Sequence, residues 1–244
     1  MKQLDWLKYD LIAHRGLHKQ DQSIAENSIT AFREALKHGY SIECDINLLK
    51  DGSVIVFHDH DLNRMFNINK SLDDLTYDDI KDLRYPNGDS ISLLKDVLNE
   101  IDGKTNLLIE LKPHGDVNQL CKNFMDIIKD YNGKYAVFSF HPKVVYYLKK
   151  HHPDVIRGQI SEHFKDDQRM PKFMKYLMKR LFFNRFTKPD FISYAIYDMP
   201  SKYLNKYKKK GMPIISYAAR SQHDLDFVKS HYDNIVFEYF IPKK

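Results

Sequence analysis

The feature that most constrains the fold of this chain is an alternation that recurs along its length. A short apolar run rich in β-forming residues is followed by a polar turn and then by an amphipathic stretch with helical spacing. These runs predict eight strands, at residues 9–13, 41–46, 106–111, 135–138, 155–160, 191–194, 213–217 and 235–237. The stretches between them predict seven helices, at residues 28–38, 93–101, 117–131, 142–151, 170–183, 201–210 and 222–230. Strands that alternate with helices form parallel sheets, so we expect a (β/α)8 TIM barrel closed by strand eight against strand one.

The length of 244 residues suits one barrel. We therefore expect residues 1–244 to form a single domain, with the polar stretch 59–90 as a small insertion after strand two. A doubly wound sheet of six strands is the alternative, but no G-x-G-x-x-G motif follows the first strand to indicate a dinucleotide site.

Composition indicates where the protein is located and which kinds of partner it binds. No run reaches the roughly 18 to 20 apolar residues that span a bilayer, and the first residues lack the apolar core of a secretory signal, so we expect a cytoplasmic protein. Cys44 and Cys121 lack C-x-x-C spacing and are expected to be free thiols. A net charge of +5 favours anionic substrates or surfaces, but no nucleic-acid motif accompanies it, so we expect no nucleic-acid partner. Oligomeric state leaves no local signature.

The segment 41–59 contains two β runs joined by Asp51-Gly52, a dipeptide typical of two-residue type I′ hairpins. A turn of that kind would pair Asp45 with His58. The period of two would then add Glu43 to the same face.

Polar residues cluster where β runs end, which is where TIM barrels carry their chemistry. These residues are His14 and Arg15 after strand one, Glu43 and Asp45 on strand two, His58 after the hairpin, and Glu110 and Lys112 at strand three. Cys44 points to the opposite face of the strand, and three carboxylates without a cysteine on their own face suit one hard divalent cation, Mg²⁺ or Ca²⁺. Arg15 and Lys112 supply the positive charge that a phosphate needs, and His14 and His58 are a candidate acid and base pair. The set predicts metal-assisted phosphoryl transfer.

Four segments make the pattern specific: AHRG at 13–16, AENSITAF at 25–32, IECDINLLKDGSVIVFHDHDLNR at 42–64 and LIELKP at 108–113. Together with ISLLKDVL at 91–98 they closely resemble the glycerophosphodiester phosphodiesterase family, most densely over the first 113 residues. The resemblance implies a TIM barrel with a short insertion after strand two. It also implies hydrolysis of small-molecule glycerophosphodiesters to glycerol 3-phosphate and an alcohol, through attack by the glycerol 2-hydroxyl and a cyclic phosphate.

The resemblance also assigns roles to the same residues. Glu43, Asp45 and Glu110 would hold the metal, His14 and His58 would be the acid and base, and Arg15 and Lys112 would bind phosphate. The chain departs from the family pattern at Ala25, which replaces a proline with little expected effect. Three further departures, at Met65-Phe66, Tyr217 and Phe237-Glu238, leave the identity of the alcohol open.

Other residues admit two interpretations. Glu26 either favours the first helix dipole or supports the active site, with Asn27 or Ser28 as the N-cap. His58-Asp59-His60 is also an H-x-H pair of the kind found in amidohydrolase barrels, but no suitable later ligands appear at strand ends. His141 either caps a helix or touches substrate, and capping is favoured.

The stretch 169–188 combines apolar residues at helical spacing with surrounding lysines and arginines. Packing against the barrel is the favoured explanation. The alternative is a weak peripheral contact with anionic lipid, which would make lysophospholipids plausible substrates. A lysophospholipase D or phospholipase C-like enzyme on the same barrel, and a catalytically silent barrel that only binds phosphodiesters or lipid, are therefore the alternatives to a glycerophosphodiesterase.

Overall fold

A computed structural model describes residues 2–243 of the chain. Within them lie ten strands: β1 (Ile12–Ala13), β2 (Ser41–Leu48), β3 (Val54–Val56), β4 (Ser92–Leu93), β5 (Leu107–Leu111), β6 (Tyr135–Ser139), β7 (Arg157–Ser161), β8 (Phe191–Ala195), β9 (Ile214–Ala219) and β10 (Asn234–Phe237). The same residues form eleven α-helices: α1 (Asp5–Tyr9), α2 (Ile29–His38), α3 (Asn63–Phe66), α4 (Tyr77–Ile80), α5 (Leu94–Ile101), α6 (Val117–Ile128), α7 (Pro142–His151), α8 (Lys172–Lys179), α9 (Asn184–Thr187), α10 (Asn205–Lys208) and α11 (Gln222–His231).

Each of the eight predicted strands overlaps an observed one, but the first is much shorter than predicted. Residues 5–9 form α1, so strand one begins at Ile12 rather than at residue 9. The helix buries Trp6 and Leu7, and the side-chain amide of Asn234 donates hydrogen bonds to the carbonyls of Leu7 and Asp10. These long-range hydrogen bonds satisfy carbonyl groups at the end of the helix. Sequence periodicity could not indicate them, because Asn234 is remote in sequence.

The contacts divide the chain into two compact units, residues 12–136 and residues 2–11 with 137–243. A single domain over 1–244 stays a prediction. In the first unit β2 pairs in parallel with β1 and β5, and β2, β3 and β4 pair antiparallel in that order. Helix α2 is capped by Ser28, whose side chain accepts a hydrogen bond from Ala31 N, and ends at Gly39.

The hairpin between β2 and β3 differs from the prediction in its register. Ile46 lies opposite Val56 and Leu48 opposite Val54, so the partner of Asp45 is Phe57, whose N donates to Asp45 O, and not His58. The connection spans residues 49–53 and is closed by hydrogen bonds from Leu49 N to Ser53 O and from Gly52 N to Leu49 O. Leu49 is buried in the core of the insertion, which favours the longer loop over a two-residue turn.

The insertion after strand two has a core of its own. It contains α3, a 3₁₀ turn at Leu72–Asp74 and α4. Its buried apolar residues include Leu62, Leu72, Ile80 and Tyr85, which pack with Phe57 from the end of the hairpin. A small apolar cluster therefore packs the insertion 59–90, which is polar in overall sequence, against the hairpin.

In the second unit β6, β7, β8, β9 and β10 pair in parallel in sequence order. The predicted helix 170–183 is divided in two. Ser161 Oγ and Tyr194 Oη donate hydrogen bonds to the carbonyls of Met178 and Lys179, and Leu181 adopts a left-handed backbone with φ 56°. These contacts end α8 at Lys179, and α9 follows after a turn.

Two further expectations can be compared with the structure. Cys44 and Cys121 are buried and free, as predicted. Among residues 2–243, no helix has the length and apolar character required to cross a membrane.

Candidate active site

Three carboxylates meet where β2 and β5 run side by side. Asp45 lies directly opposite Glu110 in the parallel register, and Glu43 precedes Asp45 by one period of the strand. One oxygen from each of the three carboxylates lies within 4.8 Å of the others, and all three residues are buried. The predicted convergence of these acids therefore holds, although the register of the neighbouring hairpin is different.

The loop after β1 closes on these acids through backbone in the left-handed region. Arg15 has φ 53°, and its backbone N donates to Glu43 Oε2 at 2.9 Å. Gly16 has φ 76°, and a Cβ on it would lie 2.8 Å from the carbonyl carbon of Ala31. The glycine is therefore required both by the backbone angle and by the close approach of α2.

Asn27, which also has φ 55°, is a positioning residue that sequence reasoning missed. Its side-chain amide donates to Asp45 Oδ2 at 2.9 Å, and its Oδ1 accepts a hydrogen bond from Asp45 N at 3.2 Å. The sequence indicates Asn27 only as a candidate N-cap, and Ser28 is the N-cap of α2. Its position inside the resembling segment AENSITAF was the available signal.

Two cations lie against the three acids. Lys112 Nζ is 3.4 Å from Asp45 Oδ1 and 3.4 Å from Glu110 Oε1, and Arg15 Nε is 3.3 Å from Asp45 Oδ2. Burial would raise the pKa of Asp45, but Lys112, the neighbouring histidines and Arg15 hold it well below its usual value. Asp45 is therefore the fully ionised member of the cluster.

The other two carboxyl groups behave in the opposite way. Burial and the proximity of Asp45 and Glu110 raise the pKa of Glu43 well above its usual value. Burial, opposed by Lys112 and reinforced by Asp45, raises the pKa of Glu110 to about 7. Without a further positive charge, these two groups resist ionisation.

The cluster has the donor set and the charge deficit that a divalent cation requires. Asp45 Oδ1 is buried and accepts no hydrogen bond within residues 2–243. Around it, the carboxylates of Glu26, Glu43, Asp45, Asp59 and Glu110 face the cations Arg15, Arg64 and Lys112. Full ionisation would leave two negative charges uncompensated, which matches a hard divalent cation with oxygen ligands. The acidic cluster could thus hold such an ion.

The two histidines lie at the edge of this cluster. His14 Nε2 is 3.8 Å from Glu43 Oε2. His58 Nδ1 is 2.6 Å from Asp59 Oδ1, and Arg64 Nε donates to Asp59 Oδ2 at 2.6 Å. Burial opposes ionisation of Asp59, but the hydrogen bonds from His58 and Arg64 hold its pKa well below the usual range. An ionised Asp59 places the proton of the neutral His58 ring on Nδ1 and leaves Nε2 as an acceptor.

Glu26 belongs to the site and does not cap the helix. It is 3% exposed, and its carboxylate accepts hydrogen bonds from Arg15 Nη1 at 2.8 Å and from Arg64 at 2.6 and 2.9 Å. Sequence reasoning missed Arg64 and Asp59 as supporting residues. Both lie in the segment HDHDLNR. The short separation of an acid and an arginine in this segment could have indicated that they pair.

The three departures that leave the identity of the alcohol open have different surroundings. Phe66 packs with Phe57 and Tyr85 in the insertion core, at ring distances of 6.2 and 5.0 Å, which gives it a structural role. Tyr217 packs edge-on against Phe140 and donates a hydrogen bond to Glu162. Glu238 accepts a hydrogen bond from Arg220.

His141 takes the capping role that we favoured. It is the N-cap of α7, where its Nδ1 accepts a hydrogen bond from Lys143 N.

The stretch 169–188 buries only part of its apolar surface. Met178 and Leu181 are buried, whereas Phe173 is 70% exposed and Phe186 is 52% exposed. Packing therefore explains Met178 and Leu181, but it does not explain the exposed Phe173 and Phe186.

Comparison with known proteins places this site in a family. Residues 14–234 match the sequence pattern of the glycerophosphoryl diester phosphodiesterase family. Glycerophosphodiester phosphodiesterase 1 of Bos taurus is 23% identical over 253 residues, which cover 90% of this chain and 74% of that protein. A glycerophosphodiester phosphodiesterase of Caldanaerobacter subterraneus subsp. tengcongensis is 38% identical over 78 residues, which cover 32% of this chain and 31% of that protein.

A solved structure extends the comparison to the fold. A phosphodiesterase from Oleispira antarctica, in complex with its product sn-glycerol-3-phosphate, matches with a TM-score of 0.77 and 18% identity, covering 96% of this chain and 94% of the other. This likeness confirms the predicted (β/α)8 TIM-barrel fold with its short insertion. The match along most of the chain also confirms the resemblance seen in the motifs, and the chain belongs to the glycerophosphoryl diester phosphodiesterase family of enzymes.

Proposed function

We propose that this chain hydrolyses glycerophosphodiesters to sn-glycerol 3-phosphate and an alcohol, using one divalent cation, Mg²⁺ or Ca²⁺. The observation that carries the proposal is the buried set of Glu43, Asp45 and Glu110, flanked by Arg15 and Lys112. Its chemistry fits the reaction named for the family and for the product-bound structural relative.

Glu43, Asp45 and Glu110 would hold the cation, which when bound supplies charge stabilisation at the phosphate. Arg15 and Lys112 orient the phosphate oxygens beside it: the arginine can donate two hydrogen bonds, and the lysine acts as a point charge. Glu26 keeps the Arg15 guanidinium in place through the hydrogen bond at Nη1.

We assign proton transfer to the two histidines. Asp59 holds His58 with Nδ1 as the donor, so His58 Nε2 can accept the proton of the glycerol 2-hydroxyl as that oxygen attacks phosphorus. His14 then protonates the departing alcohol oxygen. In the second step a water molecule opens the cyclic phosphate, and the histidines exchange roles.

The test is release of glycerol 3-phosphate from glycerophosphocholine, glycerophosphoethanolamine, glycerophosphoglycerol and a lysophospholipid, each with Mg²⁺, Ca²⁺ or EDTA. We expect release from at least one soluble diester and loss of release in EDTA. Metal binding by a folded protein that cleaves none of the four would favour the silent barrel.

A second candidate is a lysophospholipase D or phospholipase C-like activity. The exposed apolar side chains between residues 173 and 186 favour it, because they could bring the protein to a lipid surface. Cleavage of the lysophospholipid alone in the same panel would select it.

A further inference from the structure

A basic groove lies in the second unit. Its volume is about 700 Å³, and it is formed by the turn between α8 and α9, the residues before β8, helix α10 and Met212. We call it the α9–α10 groove. Its lining includes the cationic residues Arg180, Arg185, Lys188, Lys202, Lys206 and Lys210.

The positive charge of this groove is not compensated by carboxylates of residues 2–243. Six of the thirteen lining residues are lysine or arginine, and none is acidic. In the part of the chain that the structure describes, none of the six cations forms an ion pair with a carboxylate. Such a concentration of one sign attracts an anionic ligand or surface.

Exposed apolar side chains adjoin the groove. Arg180 lies over the ring of Tyr176 at 4.0 Å and over that of Tyr203 at 5.5 Å. Arg185 lies over Phe182 at 3.5 Å and over Phe186 at 5.3 Å. The two arginines therefore connect the groove to the half-exposed rings of Tyr176 and Phe186 on its rim.

The apolar rim continues along α8, where Phe173 is 70% exposed and Met174 is 36% exposed. Exposed large apolar side chains beside a strongly basic surface are typical of peripheral membrane-binding segments, in which the rings enter the interface and the cations meet anionic headgroups. A nucleic acid would satisfy the cations and can stack on an aromatic ring, but the aliphatic side chain of Met174 is better covered in the interface of a bilayer.

We propose that the α9–α10 groove and its apolar rim bind the surface of an anionic phospholipid bilayer. Phosphate groups of the lipids occupy the groove, and Phe173, Met174, Tyr176 and Phe186 enter the interface. This binding is separate from the proposed hydrolytic function, so either can fail without the other.

The experiment is co-sedimentation of the full chain with vesicles of phosphatidylcholine alone and with vesicles containing 30 mol% phosphatidylglycerol, in EDTA and at two salt concentrations. EDTA prevents bridging of lipid by a divalent cation at the acidic cluster. We expect binding only to the anionic vesicles. The triple variant Lys202→Gln, Lys206→Gln, Lys210→Gln should lower the partition coefficient by about 100-fold at low salt, because each cation near an anionic surface contributes a factor of about five and the three factors multiply.

The matched control is Lys95→Gln, Lys129→Gln, Lys134→Gln, which removes three exposed charges from the first unit. The pair Phe173→Ser, Phe186→Ser tests the rim, with Tyr9→Ser, Ile241→Ser as its control, because these residues are also exposed. The rim pair should weaken binding at both salt concentrations, since it removes apolar contacts. Thermal melts should show that all variants are folded.

Three results would overturn the proposal. The first is equal binding to neutral and anionic vesicles, and the second is an equal loss in the lysine triple and its control. The third is retention of a single-stranded RNA oligonucleotide through the same three lysines without any vesicle binding, which would identify the groove as a nucleic-acid site.

Discussion

At the scale of single residues, the active-site loop depends on backbone that most residues avoid. Arg15, Gly16 and Asn27 all have positive φ, and each contributes a contact near Glu43 or Asp45. For Arg15 and Asn27, the cost of these conformations is offset by hydrogen bonds to buried carboxylates, and the backbone N of Gly16 donates to the backbone carbonyl of Glu43. Of the three, Gly16 combines a positive φ with a close approach to α2, so it is the position most sensitive to an added methyl group.

We expect Gly16→Ala to lower the free energy of unfolding by about 2 to 4 kcal/mol, from the left-handed backbone and from the clash with Ala31. Gly39→Ala is the matched control, because Gly39 has φ 71° and no atom within 4 Å of an added Cβ. It should cost only about 1 kcal/mol. Urea denaturation measures both, and equal losses would show that the approach of Ala31 is unimportant.

The roles proposed for the two histidines predict different responses to the leaving group. His14→Ala and His58→Ala should each lower turnover of glycerophosphocholine by about 10²-fold or more. A glycerol p-nitrophenyl phosphodiester, whose leaving group needs no protonation, should restore most of the first-turnover release of p-nitrophenol in His14→Ala and little of it in His58→Ala. Equal rescue of both variants would contradict the assignment.

Sequence reasoning at this scale found the residues with obvious chemistry and missed those that orient them. His14, His58, Glu43, Asp45 and Glu110 stand at strand ends, where the fold class itself directs attention. Asn27, Asp59 and Arg64 act through hydrogen bonds to other side chains, and these partners become visible only when the loops are placed in three dimensions.

At the scale of elements, the parallel register of β2 and β5 sets the electrostatics of the site. It places Asp45 beside Glu110 in a buried strand pair, and Lys112 offsets only part of the negative charge. Glu110 therefore has a pKa of about 7 when folded. Because this value is raised above that of an unfolded glutamate, the folded chain binds more protons than the unfolded chain across the interval between them.

We therefore expect Glu110 to reduce stability as pH rises. In EDTA, the free energy of unfolding should fall between pH 5 and pH 7 by about 1 to 3 kcal/mol more in the parent chain than in Glu110→Gln. The comparison with the variant separates the contribution of Glu110 from that of the other titratable groups. Urea denaturation at the two pH values measures the difference.

Glu100→Gln provides the control for that experiment. Glu100 is ion-paired with Arg33, and the hydrogen bond from this arginine lowers the pKa of Glu100. The stability that ionised Glu100 contributes is fully present above the ordinary glutamate pKa and does not change between pH 5 and pH 7. Glu100→Gln should therefore keep the pH dependence of the parent. The electrostatic account would be wrong if Glu110→Gln behaved like Glu100→Gln.

Element-scale expectations failed where tertiary contacts outweighed local signals. The Asp51-Gly52 dipeptide indicated a two-residue turn, but burial of Leu49 favours a longer loop and moves the register by one residue. The helix predicted over 170–183 is divided because Ser161 and Tyr194 bind its carbonyls. In both cases the structure is decided by a tertiary contact that the local sequence pattern does not indicate.

At the scale of the whole molecule, the alternation of strands and helices predicted the fold class because its signal is periodic and repeated. Single errors, such as α1 in place of the start of strand one, do not alter the order of the remaining elements. The residues of the candidate active site all lie in the first unit, residues 12–136, where the family motifs are concentrated. The α9–α10 groove belongs to the second unit. The sequence pattern over 169–188 indicated its residues up to Lys188, but not the lysines between residues 202 and 210 that complete it.

Cation binding should stabilise the protein as a whole. At a cation concentration about 100 times the dissociation constant, linkage contributes about 2.7 kcal/mol, or an increase in Tm of roughly 5 to 10 °C for a chain of this size. Scanning calorimetry with Mg²⁺, Ca²⁺ and EDTA measures this shift. Asp45→Asn should abolish it, and an undiminished shift in that variant would place the cation elsewhere.

The position of Arg64 has a consequence for engineering this enzyme. Its guanidinium, carried by the short helix α3 of the insertion, holds Glu26 and Asp59 at once, and these in turn hold Arg15 and His58. Exchange of the insertion with that of a relative would therefore also replace an anchor for the two residues to which we assign phosphate binding and proton transfer. A chimera can vary the surface of the insertion freely only if it keeps an arginine at this point of α3.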